Sequence, residues 1–127
     1  MCGRFTLTDP VEAIAGLFGA VPDNDLPDDG PRYNICPTQQ VLAVPSTEGC
    51  RRLRAMRWGF LPAWYDRPAG GPLLINARAE TVAANPAFGA AIRGRRCLIP
   101  ASGYYEWETT PEGAKLPHYI RRADGGP

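Results

Sequence analysis

The sequence predicts an α+β fold in which short helices flank a mostly antiparallel sheet. Three observations lead there. Seven apolar segments of strand length succeed one another from residue 32 onward, separated by Gly- and Pro-containing turns. Two further segments carry a capping residue followed by proline, the signature of a helix start. Finally, the chain has 127 residues, 44% of them hydrophobic, which suffices for one modest core and not for two. Fourteen Gly and fourteen Pro punctuate the apolar runs instead of pooling in one tract, as expected of a loop-rich globular fold.

In chain order, Asp9-Pro10-Val11-Glu12 opens the first helix: Asp9 caps, Pro10 suits the first helical position and Glu12 completes a capping box. Val11, Ile14, Ala15, Leu17 and Phe18 form its apolar face, and Gly19 ends it. Residues Pro22 to Pro31, with four aspartates, three prolines and a glycine, read as a solvated loop. The strands are predicted at 32–36, 40–44, 52–58, 73–78, 97–99, 104–108 and 116–122, and a second helix runs from Asn85-Pro86 through Ile92. Asp124-Gly125-Gly126 is a hairpin turn signal that calls for a returning strand, yet only Pro127 follows, so the domain is expected to extend beyond this chain.

Composition narrows the function. Fourteen Lys and Arg against thirteen Asp and Glu give a formal charge of +1, so any attraction for nucleic acid must come from local clusters. The candidates are Arg51, Arg52, Arg54 and Arg57 in one run and Arg93, Arg95 and Arg96 in another. No segment approaches the roughly 20 apolar residues that span a bilayer, and the N-terminus lacks the apolar stretch of a secretory signal. Cys2, Cys36, Cys50 and Cys97 form no C-x-x-C pair and accompany a single histidine, His118, so neither a zinc site nor a disulfide framework is expected. Reduced thiols in the cytoplasm follow as the default.

The sharpest chemical feature is Cys2 behind the initiator Met1. Removal of the methionine would leave an α-amine and a thiol on one residue. Such amines titrate near pH ~8 and thiols near ~8.5, so both are partly available at neutral pH. An aldehyde is their natural electrophile: the amine forms an imine and the sulfur closes a thiazolidine on the same carbon. Ring closure is intramolecular, with effective molarities that reach ~10⁵ M or more. An incidental buried thiol is the competing reading from position alone. Further on, Asn76 ends an apolar strand, and Glu106, between Tyr105 and Trp107, has apolar neighbours that suit a general acid or base, with a merely solvated strand-edge residue as the competing reading.

Five separated segments resemble the SOS-response-associated peptidase (SRAP) family: Cys2-Gly3-Arg4-Phe5; Arg32-Tyr33-Asn34 with Pro37; Trp58-Gly59-Phe60; Ile75 to Thr81; and Cys97 to Pro100 with Gly103 to Trp107. The resemblance covers nearly all of the chain but only the N-terminal, larger part of the family's domain. It implies an SRAP-like sheet or pseudo-barrel and binding of single-stranded DNA. It further implies capture of the abasic-site aldehyde by the mature Cys2 as a thiazolidine cross-link, acting as a monomer without metal or organic cofactor, in the cytoplasm and on the nucleoid. Cys2 matches the nucleophile, Asn76 the residue that orients the terminal amine and sugar, and Glu106 the proton-transfer group of deoxyribose ring opening. Arg4, Arg78, Trp64, Tyr65 and Pro37 fall on the DNA side of that match. Peptidase activity that exposes Cys2 and a β-elimination lyase activity through the imine are also implied.

The family's later histidine lies in a segment that this sequence does not include, and His118 sits in no matching motif, which makes it an exposed strand residue. Two rivals remain. One is a non-catalytic DNA-binding fragment. The other is an N-terminal-nucleophile glutamine amidohydrolase, which also opens on Met-Cys-Gly but needs an oxyanion-hole Asn-Gly pair that this chain lacks.

Overall fold

The computed structural model describes residues 2–27, 30–47, 49–65 and 73–127. Among the described residues, two four-stranded sheets carry the fold and do not close into a barrel. The first has the order β3-β1-β7-β8 and the second β2-β5-β4-β6. Their strands are β1 (Arg4–Leu7), β2 (Val21–Pro22), β3 (Arg32–Ile35), β4 (Gln40–Thr47), β5 (Cys50–Arg57), β6 (Cys97–Leu98), β7 (Gly103–Thr109) and β8 (Lys115–Ile120). All pairings are antiparallel except β2 with β5. This is the α+β, mostly antiparallel architecture expected.

The N-terminal segment contributes the strand that organises the first sheet. Arg4-Phe5-Thr6-Leu7 pairs on one side with β3, Phe5 opposite Ile35, and on the other with β7, Phe5 opposite Tyr104. Phe5, Leu7 and Ile35 project into the core, where Ile14 of the first helix, Val41 and Val44 of β4 and Leu53 of β5 meet them. The reverse side of β1 is closed as well. Thr6 is buried, and its hydroxyl shares a 2.8 Å hydrogen bond with the Tyr119 hydroxyl of β8. Gly103 lies beneath that ring, and an added Cβ there would collide with it.

Helix α1 (Val11–Phe18) follows the expected face, with Ile14 fully buried and Gly19 closing it in the left-handed region at φ 55°. The start differs from the expectation. Pro10 occupies the cap position and no side chain caps the helix. Asp9 instead accepts a 2.7 Å hydrogen bond from the Ser102 hydroxyl and so ties the helix entry to the β6–β7 connection. The second helix, α2 (Gly89–Gly94), begins four residues after the predicted Asn85. Asn85 closes a preceding turn: its Oδ1 accepts from the Ala87 amide and its carbonyl from Gly89.

The predicted strand over 73–78 also shortens. Among the described residues only Leu74 of this segment pairs, through a single antiparallel bridge to Phe60, and those after it run without a described partner strand into the turns at 79–84. Backbone pairing would need a neighbouring strand edge along the whole segment. The bridge supplies one at a single residue, with the Phe60 amide donating to the Leu74 carbonyl at 2.7 Å.

Candidate functional site

Three remote segments converge on the N-terminus. Cys2 precedes β1 and packs partly buried against the core cluster. Its carbonyl oxygen accepts a 3.1 Å hydrogen bond from Asn76 Nδ2. The amide reaches it because the Phe60–Leu74 bridge pins the segment two residues upstream, and Phe60 is itself fixed by its ring contact with Phe88 at 4.9 Å between centroids. The third segment is β7. Since Arg4 lies opposite Tyr105, continuing the register by one residue brings Gly3 level with Glu106.

The electrostatics agree with that proximity. Burial pushes the Cys2 thiol above its ordinary range; a backbone hydrogen bond at Arg4 works against this, and the Glu106 charge adds to it. The thiol also lies 3.6 Å from the Arg4 carbonyl, to which it donates. Cys2 is thus held mostly as the neutral thiol at neutral pH, with its carbonyl engaged and its sulfur beside a carboxylate. Cys97, on β6, is likewise raised by burial. Among the described residues no three His, Cys, Asp or Glu side chains cluster as a metal site would require.

Residues expected on a DNA-binding side come from separate segments of the chain. Arg4 is exposed, and its Nη1 donates to Asn34 Oδ1 at 3.4 Å. Arg78 is exposed at the head of a turn in which its carbonyl accepts from the Thr81 and Val82 amides. Trp64 exposes 66% of its surface, large for such an apolar ring, and meets Tyr65 edge-on at 6.2 Å. Pro37 lies in the β3–β4 connection, where Thr38 adopts φ 77°, an unfavourable conformation for a β-branched residue. Two backbone hydrogen bonds to Trp58 hold it: Thr38 donates to the Trp58 carbonyl and Trp58 to that of Gln39, each at 2.8 Å.

Other candidates are engaged in structure. Trp58 packs edge-on against Phe5 at 5.2 Å, so it supports the core. Within the first basic run, Arg52 and Arg54 both clamp Asp23, at 2.6 and 3.2 Å, and Arg51 donates to the Phe18 carbonyl. A cavity of about 530 Å³ lies between the end of β1, the start of α1 and residues of the stretches 22–27 and 30–32. It includes none of Cys2, Asn76 or Glu106, and the carboxylates of Asp9, Glu12 and Asp23 line it, which makes it unfit for a phosphate chain.

One neighbour of the site did not emerge from residue types. The β7–β8 hairpin, closed by the turn at Thr110 to Ala114, sets His118 directly opposite Glu106. His118 is an exposed strand residue, as expected, yet its Nε2 lies 3.0 Å from Glu108 Oε2. The strand alternation of the two flanking segments was the available signal. It required the hairpin register, which depends on the turn.

The chain is similar to known proteins in sequence and in fold. The family model described as SOS response associated peptidase (SRAP) matches residues 1–127. The chain is 38% identical over 123 residues to the abasic site processing protein YoaM of Bacillus subtilis (strain 168), covering 95% of this chain and 53% of that protein. It is 35% identical over 130 residues to the abasic site processing protein YedK of Escherichia coli (strain K12), covering 100% of this chain and 56% of the other. The crystal structure of a phage-related protein from Bordetella bronchiseptica superposes with a TM-score of 0.72 at 30% identity, over 94% of this chain and 55% of that one. The chain spans about half the length of the curated relatives it matches.

Proposed function

The chain belongs to the SOS response associated peptidase family, and from that membership we propose that it processes abasic sites in single-stranded DNA by forming a covalent cross-link through the mature Cys2. The observation that carries the reading is the meeting of Cys2, Asn76 and Glu106, three groups far apart in sequence. That meeting supports a site in which one residue is nucleophile, one is anchor and one moves a proton.

The chemistry follows from these groups. The Glu106 carboxylate takes the proton of the sugar's C1 hydroxyl as the furanose opens, the ring oxygen is protonated from water, and the hydroxide left behind recovers the proton from Glu106, leaving a free aldehyde. The Cys2 amine adds to that aldehyde and water leaves, giving an imine. The sulfur then attacks the imine carbon, the S–H proton passes to nitrogen, and a thiazolidine closes. The net products are the cross-link and one water. With the thiol raised, the amine acts first and sulfur closes the ring. Asn76 holds Cys2 through its carbonyl, a group that takes no part in the addition or the ring closure.

Arg4 and Arg78 are proposed as phosphate contacts and Pro37 as part of the groove wall. Trp64 with Tyr65 is proposed as a base-stacking pair, which its exposure supports, at roughly 1–3 kcal/mol per stacked base. The same imine leads, by loss of the 3′ phosphate, to β-elimination, so a lyase side reaction and a peptidase step at Met1 complete the proposed activity. It acts as a monomer on cytoplasmic or nucleoid DNA.

A gel tests this. Incubation with a single-stranded oligonucleotide carrying one abasic site is expected to give a heat-stable shifted band, absent with Cys2→Ala and with undamaged DNA. A band that persists in Cys2→Ala overturns the thiazolidine route, and glutamine hydrolysis without a band would favour an amidohydrolase.

A further inference from the structure

We propose that the face of the β3-β1-β7-β8 sheet opposite Phe5 and Ile35 is a stacking platform for the unpaired bases that flank the lesion. This deepens the cross-linking reading above and rests on it. Strand alternation and pairing decide which side chains share that face. Arg4 lies opposite Tyr105 and Tyr105 opposite Tyr119, so three strands present one row, and Trp107 stands beside it, opposite Pro117. The rings adjoin: Tyr105 lies 5.2 Å from Tyr119 and 6.4 Å from Trp107 between centroids. Trp107 is 41% exposed and Tyr119 47%.

These rings are fixed where they stand. Tyr119 lies on Gly103, which leaves no space there for a Cβ, and its hydroxyl is bound to that of Thr6 at 2.8 Å. Tyr105 donates its own hydroxyl to the Tyr33 carbonyl at 3.1 Å. With both phenol oxygens engaged inside the protein, what the rings offer outward is apolar π surface. Such a surface, ordered before binding, stacks on any base and loses little freedom in doing so.

Charge is sorted by the same alternation. Lys115 shares the platform face, opposite Thr109, and the pairing continued by one residue sets Arg121 there, level with Gly103. The acidic residues of β7, Glu106 and Glu108, fall on the other face. Arg4, Lys115 and Arg121 are all exposed. A flat apolar surface bordered by cations, with the carboxylates of its strands turned away, suits flat rings joined by phosphates, which is the make-up of an unpaired DNA strand. The location suits the lesion as well. Cys2 stands two residues before Arg4, about 7 Å away at the rise of a strand. A strand captured at Cys2 therefore meets the Arg4 guanidinium first and the rings next.

The test irradiates the unaltered chain with an undamaged single strand of thymines in which 5-iodouracil replaces every third base, since a stacked iodouracil joins the ring it rests on. Tryptic peptides 97–115 and 116–121 carry the platform, and Trp64 lies in another. Adducts are expected on the first two. Adducts confined to the peptide with Trp64, or none at all, overturn the proposal. Affinity for the plain thymine strand, read by fluorescence anisotropy, is expected to weaken about fivefold or more in Trp107→Leu and to stay within about twofold in Trp107→Phe, which keeps an aromatic face. Unchanged affinity in Trp107→Leu, or equal losses in both variants, overturns it. Should Trp107→Leu fail to fold, the adducts decide alone. If adducts fall on the two platform peptides while the abasic oligonucleotide gives no heat-stable band, the platform stands and the cross-linking reading fails. A heat-stable band with adducts only on the Trp64 peptide keeps that reading and removes the platform.

Discussion

Cys2 is held in a state that its residue type alone would not produce. Burial and the Glu106 charge keep the sulfur protonated at a pH where a free cysteine is already partly thiolate. The sign of the consequence is fixed: thiolate-dependent chemistry at Cys2 is suppressed at neutral pH and rises as pH climbs toward the elevated titration. Replacing Glu106 with Gln removes one of the raising influences, so alkylation of Cys2 by iodoacetamide at pH 7.5 is expected to accelerate by about twofold. Cross-linking by the same variant should fall at least tenfold, because a proton-transfer group is lost. Measuring both on one preparation separates the two roles. Cys2 stood out by its place behind Met1, whereas Asn76 and Glu106 are weak signals by residue type and drew their expected roles from the family resemblance. The 3.1 Å bond from Asn76 to the Cys2 carbonyl was not legible, since it depends on where the Phe60–Leu74 bridge pins the chain.

The elements around the site are held by a few specific contacts, and two of these make sharp predictions. Gly103 and Tyr119 join β7 to β8 by close approach, with the Tyr119 hydroxyl continuing to Thr6. Gly103→Ala forces the ring away and breaks that bond, so a loss of about 1–3 kcal/mol is expected in denaturant unfolding. The second contact is the clamp of Arg52 and Arg54 on Asp23, which ties the loop after β2 to β5. Asp23→Asn is expected to cost about 1 kcal/mol, read as a drop of a few degrees in Tm, because the arginines are about half exposed while the carboxylate is more buried. The same change frees two guanidinium groups, so affinity for undamaged single-stranded DNA should rise and become steeper in salt. Most strands were readable from alternation and turn residues. β1 was not, because its four residues lack a bounding turn and both its faces are covered, and β2 is only two residues long. The second helix started late because Asn85 spends its side chain on a turn.

For the whole molecule, the telling quantity is surface. A compact chain of 13.8 kDa would expose about 6,600 Å², and this one exposes 8853 Å². Leu98, Ile99, Leu116 and Ile120 are among the apolar side chains that account for the difference. Against an unfolded chain of about 20,000 Å², folding buries about one sixth less than usual. Calorimetry should therefore return a heat-capacity increment near 1.4 kcal/mol/K in place of the roughly 1.7 kcal/mol/K of a compact chain this long. An increment at the compact value would mean that the exposed strands are covered in solution. The fold class could be read from the strand series, while the division into two sheets could not, since only long-range pairing decides which strands meet.

The bond between residues 76 and 2 spans 74 positions. During synthesis at about 5–20 residues per second, roughly 4–15 seconds separate emergence of the terminus from arrival of its amide partner at the ribosome exit. Glu106 follows later still. The terminus thus leaves the ribosome bare, and whatever cleaves after Met1 can reach it before the later segments build a pocket around it.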